Sequence, residues 1–376
     1  MSDDDYRRRL VTEQRQGASM SLSEPNVRSK RRARHGAPTI SDVAKRAGVS
    51  SMTVSRVING ESNVRDTTRE AVMAAIAALN YAPNPAARSL AGSAPTRIGM
   101  LYSNPSAGFL GEVLLGSLEQ ASRADVQIIV ERCEPGHDEL EVARHLIAGG
   151  IDGMLLPPPL CESGAMLELL KRSGVPAVAV ATACSGAPLA VGIDDREAAL
   201  RMTQHLMSLG HRRIGFIAGD PALAASGRRL DGHCAALAQA GIALDDSLVV
   251  DGRFTYRSGL DAAERLLDLP EPPTAIFASN DDMAAATIAV AHRRGIDVPA
   301  DLTVCGFDDT PLATVIWPEL TTIRQPIADM ARVGIEMLVS VLRPQKPAAA
   351  SLHRLLDFEL IRRQSDAAPR VRPKKL

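Results

Sequence analysis

The hydrophobic positions of residues 39–79 recur at helical spacing and predict three short helices. The first helix carries its apolar or small residues on one face, at Ile40, Val43, Ala44 and Ala47. Gly48 ends this helix, and only a tight turn fits before Ser50, whose hydroxyl can cap a second helix over residues 51–58. A third apolar stripe covers residues 66–79. The pattern predicts helix, tight turn and helix, with a third helix completing a miniature core.

The outward face of the predicted second helix is polar and carries one arginine. Val54 and Val57 face inward on this pattern. The outward positions are Ser51, Met52, Ser55, Arg56 and Asn59. Such a face suits the major groove of DNA, where an arginine can pair bidentately with guanine O6 and N7. The head of the chain is therefore predicted to bind DNA.

The remainder of the chain alternates short apolar runs with amphipathic segments. The runs that predict strands are residues 97–101, 127–131, 153–156, 177–180, 213–218, 247–251, 275–278 and 302–307. The segments that predict helices include residues 109–122, 139–149, 196–208, 228–240, 256–267 and 283–294. This alternation indicates βαβ units in two parallel, doubly wound sheets rather than one. Ligands bind such sheets at the carboxyl ends of the strands, which predicts a cleft between two lobes.

Two segments beside the predicted DNA-binding helices lack a packed core of their own. Residues 1–37 are polar and aperiodic, and we expect a disordered basic extension. Its basic run at residues 30–34 could contact DNA phosphates. The alternatives are that it is a solvated tail, or that the start codon has been assigned too far upstream. A short helix is predicted over residues 83–92. Asn84 can cap its start, Pro85 suits its first helical position, and Gly92 ends it. A helix of two turns is marginal alone, so we expect this hinge to fold only with outside support.

Charge and cysteine usage restrict the possible partners and compartment. The chain of 376 residues has a net charge of −1, yet residues 28–88 alone carry a net charge of +7. A basic head on an acidic body indicates nucleic acid at one end. Five scattered cysteines indicate reduced thiols, and the absence of a long apolar run or a signal sequence predicts a cytoplasmic protein without membrane contact.

No motif of an enzyme or a metal site is present. The sequence contains no P-loop, no G-x-S-x-G, no H-E-x-x-H and no Cys/His cluster with metal spacing. We therefore expect no catalytic residue, no metal ion and no cofactor. A solute-binding transport protein is the alternative class that the body alone would allow.

Residues 39–92 resemble the head of the lactose-repressor (LacI/GalR) family of bacterial transcription regulators. The motifs DVA, AGVS, TVSRV.N, TR..V, A...L.Y.PN and A..L stand almost complete. The resemblance implies DNA contacts, to bases, phosphates or groove edges, from Ser50, Ser51, Met52, Thr53, Ser55, Arg56, Asn59 and Thr68. It also implies that Leu90 of the hinge wedges between base pairs in the minor groove.

The body resembles the periplasmic-binding-protein-like sensor core of the same family, through motifs such as VGIDD, PTAIFASNDDMA and PELTTIRQP. The implied fold is an α-helical helix-turn-helix head followed by an α/β two-lobed core. The expected parts are a DNA-binding domain at residues 38–82, a hinge helix at 83–92, a core at 97–366 and a tail at 367–376. Lobe 1 would take about 97–193 and 324–353, and lobe 2 about 194–322 and 355–366.

Five residues are candidates for binding a small-molecule effector. Asn280 and Asp308 follow apolar strands, where an amide and a carboxylate can hold ligand hydroxyls. The resemblance adds Phe109 as a stacking aromatic, Arg229 as a fork of donors and Phe254 as a second aromatic wall. Together they favour a sugar or glycoside, and a nucleoside or purine remains the alternative.

The combined expectation is a homodimeric transcription regulator, a repressor of carbohydrate-utilisation genes, that binds a near-palindromic double-stranded operator. Two identical heads on one dimer would read two inverted half-sites. A sugar bound between the lobes would switch the affinity for DNA, because a ligand that prefers one lobe arrangement shifts the population toward it.

Overall fold

The computed structural model describes residues 38–58, 64–79, 81, 95–103, 106–134, 136–182, 186–343 and 352–370. The chain forms two compact units, Met1–Ala94 and Pro95–Leu376, which we describe separately. The expected extension at residues 1–37, the hinge helix at 83–92 and the last six residues of the tail lie outside the described residues, as do Asn59 and Leu90.

The head contains the three predicted helices, α1 (Ile40–Ala47), α2 (Ser51–Ile58) and α3 (Asp66–Leu79). Gly48 ends α1 in the left-handed conformation at φ 69°, which a residue with a side chain rarely adopts. The buried side chains that form the miniature core are Val43, Ala44, Val54, Val57, Val72 and Ala75. The prediction of three short helices around one small core is confirmed.

The larger unit alternates strands and helices as predicted. Its strands are β1 (Thr96–Tyr102), β2 (Val126–Arg132), β3 (Gly153–Leu156), β4 (Ala177–Val180), β5 (Leu189–Gly192), β6 (Ile214–Ala218), β7 (Val249–Asp251), β8 (Ala275–Ala278), β9 (Thr303–Asp308), β10 (Thr321–Arg324), β11 (His353–Leu355) and β12 (Glu359–Ile361). Its α-helices are α4 (Ala107–Ala124), α5 (Glu139–Ala148), α6 (Gly164–Arg172), α7 (Asp195–Ser208), α8 (Ala224–Gln239), α9 (Tyr256–Leu267), α10 (Asp281–Arg293), α11 (Leu312–Val315) and α12 (Ile327–Leu342). The predicted strand at residues 247–251 is shorter, because the Asp245 carboxylate accepts from Ser247 N at 3.0 Å and holds a 3-10 turn there.

The described strands form two six-stranded sheets, which define two lobes. The first lobe has the order β11-β5-β4-β3-β1-β2 and the second lobe β12-β10-β9-β8-β6-β7. All neighbouring strands are parallel except β12, which is antiparallel to β10 at the edge of the second sheet. The predicted α/β core with two parallel sheets is confirmed.

Each sheet is assembled from distant parts of the chain. Strands β1 to β5 belong to the first lobe and β6 to β10 to the second, after which β11 returns to the first and β12 to the second. Strand pairing corrects two of the expected lobe bounds. Arg324 pairs with Asp308 in the second sheet, and Leu355 pairs with Gly192 in the first. Backbone hydrogen bonding, which the hydrophobic pattern does not register, decides where these short strands lie.

Candidate functional sites

The second helix of the head begins with a side-chain cap. Ser50 Oγ accepts from Thr53 N at 3.2 Å, which satisfies one of the N–H groups left free at a helix start. Thr39 and Asp42 form a capping box at the start of α1. The sequence prediction that Ser50 caps α2 is confirmed, so local hydrogen bonds fix the directions of both helices.

The predicted DNA-reading face of α2 is the exposed face of that helix. Ser51, Met52 and Arg56 are exposed, and Met52 leaves 64% of its surface in solvent. Thr53 and Ser55 are half-buried, and Val54 and Val57 pack inward. Thr68 is half-buried near the start of α3. A reading helix needs this division between an anchored apolar side and an open polar side.

A pocket lies between the two lobes of the core. The five predicted effector residues, Phe109, Arg229, Phe254, Asn280 and Asp308, all line it. The remaining lining residues are Ser106, Pro158, Glu162, Ala181, Leu223, Ala225 and Gln325. They come from helix starts and from the loops at the carboxyl ends of strands in both sheets. Within the predicted set, Phe109 and Asp308 are 199 positions apart along the chain, and the structure brings them to the same pocket.

Arg229 of α8 is held on several sides inside the pocket wall. Its Nε donates to Asp195 Oδ1 at 2.8 Å and its Nη1 to the carbonyl oxygen of Ser279 at 2.6 Å. The guanidinium carbon lies 3.5 Å from the centroid of the Phe307 ring. Asp308 Oδ1 is 3.7 Å from Nη1. With only 5% of its surface exposed, Arg229 is a fixed part of the site rather than a surface charge.

Asp308 ends β9 with its carboxylate at the pocket. Gln325 Nε2 donates to its Oδ1 at 2.6 Å, while no described residue donates to its Oδ2. Burial raises the pKa of Asp308 to about 7, and Arg229 and Gln325 oppose this rise. A ligand hydroxyl that donated to Oδ2 would stabilise the charged carboxylate.

Asn280 lines the pocket and also makes hydrogen bonds within the protein. Its Oδ1 caps α10 by accepting from Met283 N at 2.9 Å, and its Nδ2 donates to the carbonyl oxygen of Phe254 at 3.0 Å. The amide is thus engaged mainly within the protein. By holding the backbone at Phe254, which has φ 56°, Asn280 positions an aromatic wall of the pocket. A Cβ at Gly219 would overlap that ring, so the close approach requires glycine.

Hydrogen bonds between described residues also cross the cleft between the lobes, and two of them were missed by sequence reasoning. Ser106 Oγ at the start of α4 donates to Asp282 Oδ2 at 2.6 Å. Ala224 N at the start of α8 donates to Glu162 Oε2 at 2.8 Å. Burial raises the pKa of Glu162, and the hydrogen bond from Ala224 opposes the rise. Asp282 thus lies at the start of α10 and also contacts the other lobe.

Asp281, the neighbour of Asp282, faces away from the pocket and joins the structural core. Its carboxylate accepts from Thr310 N at 2.7 Å and from Thr322 Oγ1 at 2.7 Å. Burial raises its pKa well above the ordinary value, and the charge of Asp308 adds to the rise. Among the described helices, none is long and apolar enough to cross a membrane.

Comparison with known proteins divides the chain in the same way as the structure. A family described as "Bacterial regulatory proteins, lacI family" matches residues 39–84. A second, described as a periplasmic binding protein-like domain, matches residues 203–365. The first match covers α1 to α3, and the second covers most of the strands and helices of the second lobe together with α12.

Several known regulators are similar along most of their length. Catabolite control protein A of Priestia megaterium is 36% identical over 313 residues, which are 82% of this chain and 93% of that protein. The complex of the transcriptional regulator CelR with cellobiose has a TM-score of 0.67 and 33% identity, over 87% of this chain and 99% of that one. The lac repressor dimer bound to operator and the anti-inducer ONPF has a TM-score of 0.72 and 28% identity, over 88% of this chain and 99% of that one.

Proposed function

The chain belongs to the LacI family of bacterial regulatory proteins, and from this we propose that it is a DNA-binding transcription regulator that represses carbohydrate-utilisation genes. A sugar or glycoside bound between the two lobes switches its affinity for a near-palindromic operator. The protein acts in the cytoplasm as a homodimer, as the operator-bound lac repressor dimer suggests by analogy, and it has no catalytic activity.

One observation carries the proposal: the five residues predicted to contact an effector line one pocket between the lobes of a chain whose head has an exposed polar helix face. Aromatic walls at Phe109 and Phe254, with a carboxylate at Asp308, suit the apolar face and the hydroxyls of a sugar. The similar regulator CelR is known in complex with cellobiose.

The expected switch follows from the position of the ligand. A sugar that contacts both lobes binds one arrangement of the lobes better than another and shifts the population toward it. The head precedes the core in the chain, so a change between the lobes can alter the relation of two heads on DNA. A typical coupling of about 1–3 kcal/mol would change operator affinity roughly 5- to 150-fold.

The test is operator binding with and without sugars. A near-palindromic operator is selected from a randomised duplex library with the full chain, and its affinity is measured by fluorescence anisotropy in the presence of cellobiose, other sugars and nucleosides. We expect selection of a palindrome and at least about a fivefold change in affinity with a sugar. Arg56→Ala should lose roughly 1–3 kcal/mol on the operator and much less on random DNA.

Three results would reject the proposal in different ways. Sugar binding without any preference for a DNA sequence would indicate a solute-binding protein instead. A response to nucleosides alone would keep the regulator and replace the effector class. Equal losses of Arg56→Ala on operator and random DNA would mean that Arg56 contacts only phosphates.

A further inference from the structure

The helix starts that face the pocket are already occupied by oxygen atoms of the protein. Such starts present free N–H groups and the positive end of the helix dipole, and they are common binding sites for phosphate. In α10 the cap is Asn280, and in α4 Ser106 Oγ accepts from Phe109 N at 3.4 Å. Helix α8 has no cap of its own, and Glu162 of the other lobe accepts from its Ala224 N. At each of these three starts an oxygen atom of the protein therefore already accepts from one of the free N–H groups, and an anionic ligand would have to compete with it.

The positive charge of Arg229 at the pocket is already paired within the protein. Arg229 is paired with Asp195, which is itself buried, and it donates to the carbonyl oxygen of Ser279. An anionic ligand that took the guanidinium would have to compete with Asp195 for the same charge. Removing one partner of a buried ion pair leaves the other uncompensated, which is strongly unfavourable.

The other charged groups at the pocket are acidic. Asp308 and Glu162 line it, and Asp282 lies beside it in contact with Ser106 of the first lobe. Glu162 and Asp282 come from opposite lobes, and each is held by a donor from the other lobe. Both carboxylates are therefore held at the cleft, and that of Glu162 lines the pocket itself. A phosphate or carboxylate placed there would meet like charges at short range.

We propose that this pocket takes an uncharged polyhydroxylated ligand and excludes its phosphorylated or carboxylated forms, and that Glu162 is a determinant of this selectivity. The inference rests on the proposed effector function and narrows its ligand class. Ligand hydroxyls can donate to the carboxylate of Asp308, so the same acidic groups that repel an anion can hold a neutral polyol.

The experiment compares ligand pairs that differ by one anionic group. The probes are glucose and glucose 6-phosphate, cellobiose and cellobionic acid, and adenosine and adenosine monophosphate. Thermal shift identifies the pairs that bind the full chain, and calorimetry at pH 7.5 gives their affinities. We expect the uncharged member of a binding pair to bind at least about tenfold more tightly than the anionic member.

Glu162→Gln tests the assigned residue. The glutamine keeps a side-chain oxygen that accepts from Ala224 N but removes the negative charge. The ratio of the affinity for the uncharged ligand to that for its anionic form should therefore fall by about 3- to 10-fold. Glu168→Gln is the matched control, because Glu168 is exposed on α6 and does not line this pocket. It changes the net charge equally and should leave the ratio unchanged.

The outcomes separate the inference from the function beneath it. An anionic member that binds as tightly as its neutral counterpart would overturn the selectivity alone, and equal effects of Glu162→Gln and Glu168→Gln would overturn the assignment of Glu162. A panel in which no member stabilises the protein would overturn the sugar-effector function and, with it, this inference.

Discussion

Asp308 combines two unfavourable features at one residue of the pocket. Its backbone has φ 113°, a conformation that residues with side chains rarely adopt, and burial raises its pKa to about 7. Two other pocket residues, Ala181 and Phe254, also have positive φ values. Such features persist where the surrounding structure holds them, and they concentrate at binding sites. We interpret these features as a loss of folding stability that accompanies ligand recognition at this site.

Asp308 should make the folding stability of the protein depend on pH. A carboxyl whose pKa is raised on folding binds its proton more tightly in the folded state, so its contribution to stability falls as the pH rises from about 4 to about 7. Asp308→Asn removes this loss and should raise the melting temperature at pH 8 more than at pH 5. The measurement is thermal unfolding of both proteins across this range. An equal change at both pH values would contradict the raised pKa.

The same residue should make sugar binding depend on pH. A ligand hydroxyl that donates to Oδ2 favours the carboxylate, so affinity should increase from pH 6 to pH 8, by up to about tenfold. Calorimetric titration of the best-binding sugar gives this dependence. In Asp308→Asn binding should be weaker and less dependent on pH, although Glu162 and Asp282 still titrate nearby. An unaltered pH profile in the variant would exclude Asp308 as the ligand acceptor.

At the residue scale the pocket was partly predictable. Phe109, Arg229 and Phe254 were located by resemblance, and Asp308 by its place after an apolar strand. The cross-lobe partners Ser106 and Asp282 were not predicted, because they are 176 positions apart and belong to different lobes. For Asn280, the place in the pocket was predicted but its hydrogen bonds were not. They depend on the backbone conformation at Phe254, which no pattern in the sequence describes.

At the scale of elements, α4 and α12 are held at an unusually short distance. A Cβ at Gly116 of α4 would overlap the carbonyl oxygen of Ala328 in α12, so glycine permits the two backbones to approach. Helix α12 is in turn packed against β3, β4 and β5. The contact therefore fixes the return of the chain to the first lobe.

Gly116→Ala should destabilise the core by at least about 1–3 kcal/mol, because the added methyl group forces two packed helices apart. Gly111→Ala is the control on the same helix: nothing lies within 4 Å of its added Cβ. That substitution should be neutral or stabilise by about 0.4–1 kcal/mol through lower backbone entropy in the unfolded chain. The measurement is the free energy of unfolding in urea for the wild type, Gly116→Ala and Gly111→Ala. Equal effects at the two glycines would show that the close approach does not constrain the fold.

Elements differed in how well the sequence predicted them. Strands such as β3, β4 and β8 are short apolar runs buried along their whole length, and their bounds were predicted to the residue. The edge strands β11 and β12 have no such signal, because their residues are half-buried or exposed. Pairing with distant β5 and β10 makes them strands, and that pairing exists only after the lobes have formed.

At the scale of the whole core, hydrogen bonds that involve side chains join the two lobes across the cleft. If the Ser106–Asp282 hydrogen bond is made in the sugar-bound arrangement, the two residues should be coupled in sugar binding. A double-mutant cycle with Ser106→Ala and Asp282→Ala on the free energy of sugar binding should give a coupling of about 0.5–3 kcal/mol. The cycle cancels the separate loss of the Ser106 cap on α4. Additive effects of the two substitutions would mean that this contact does not contribute to closing the lobes around the ligand.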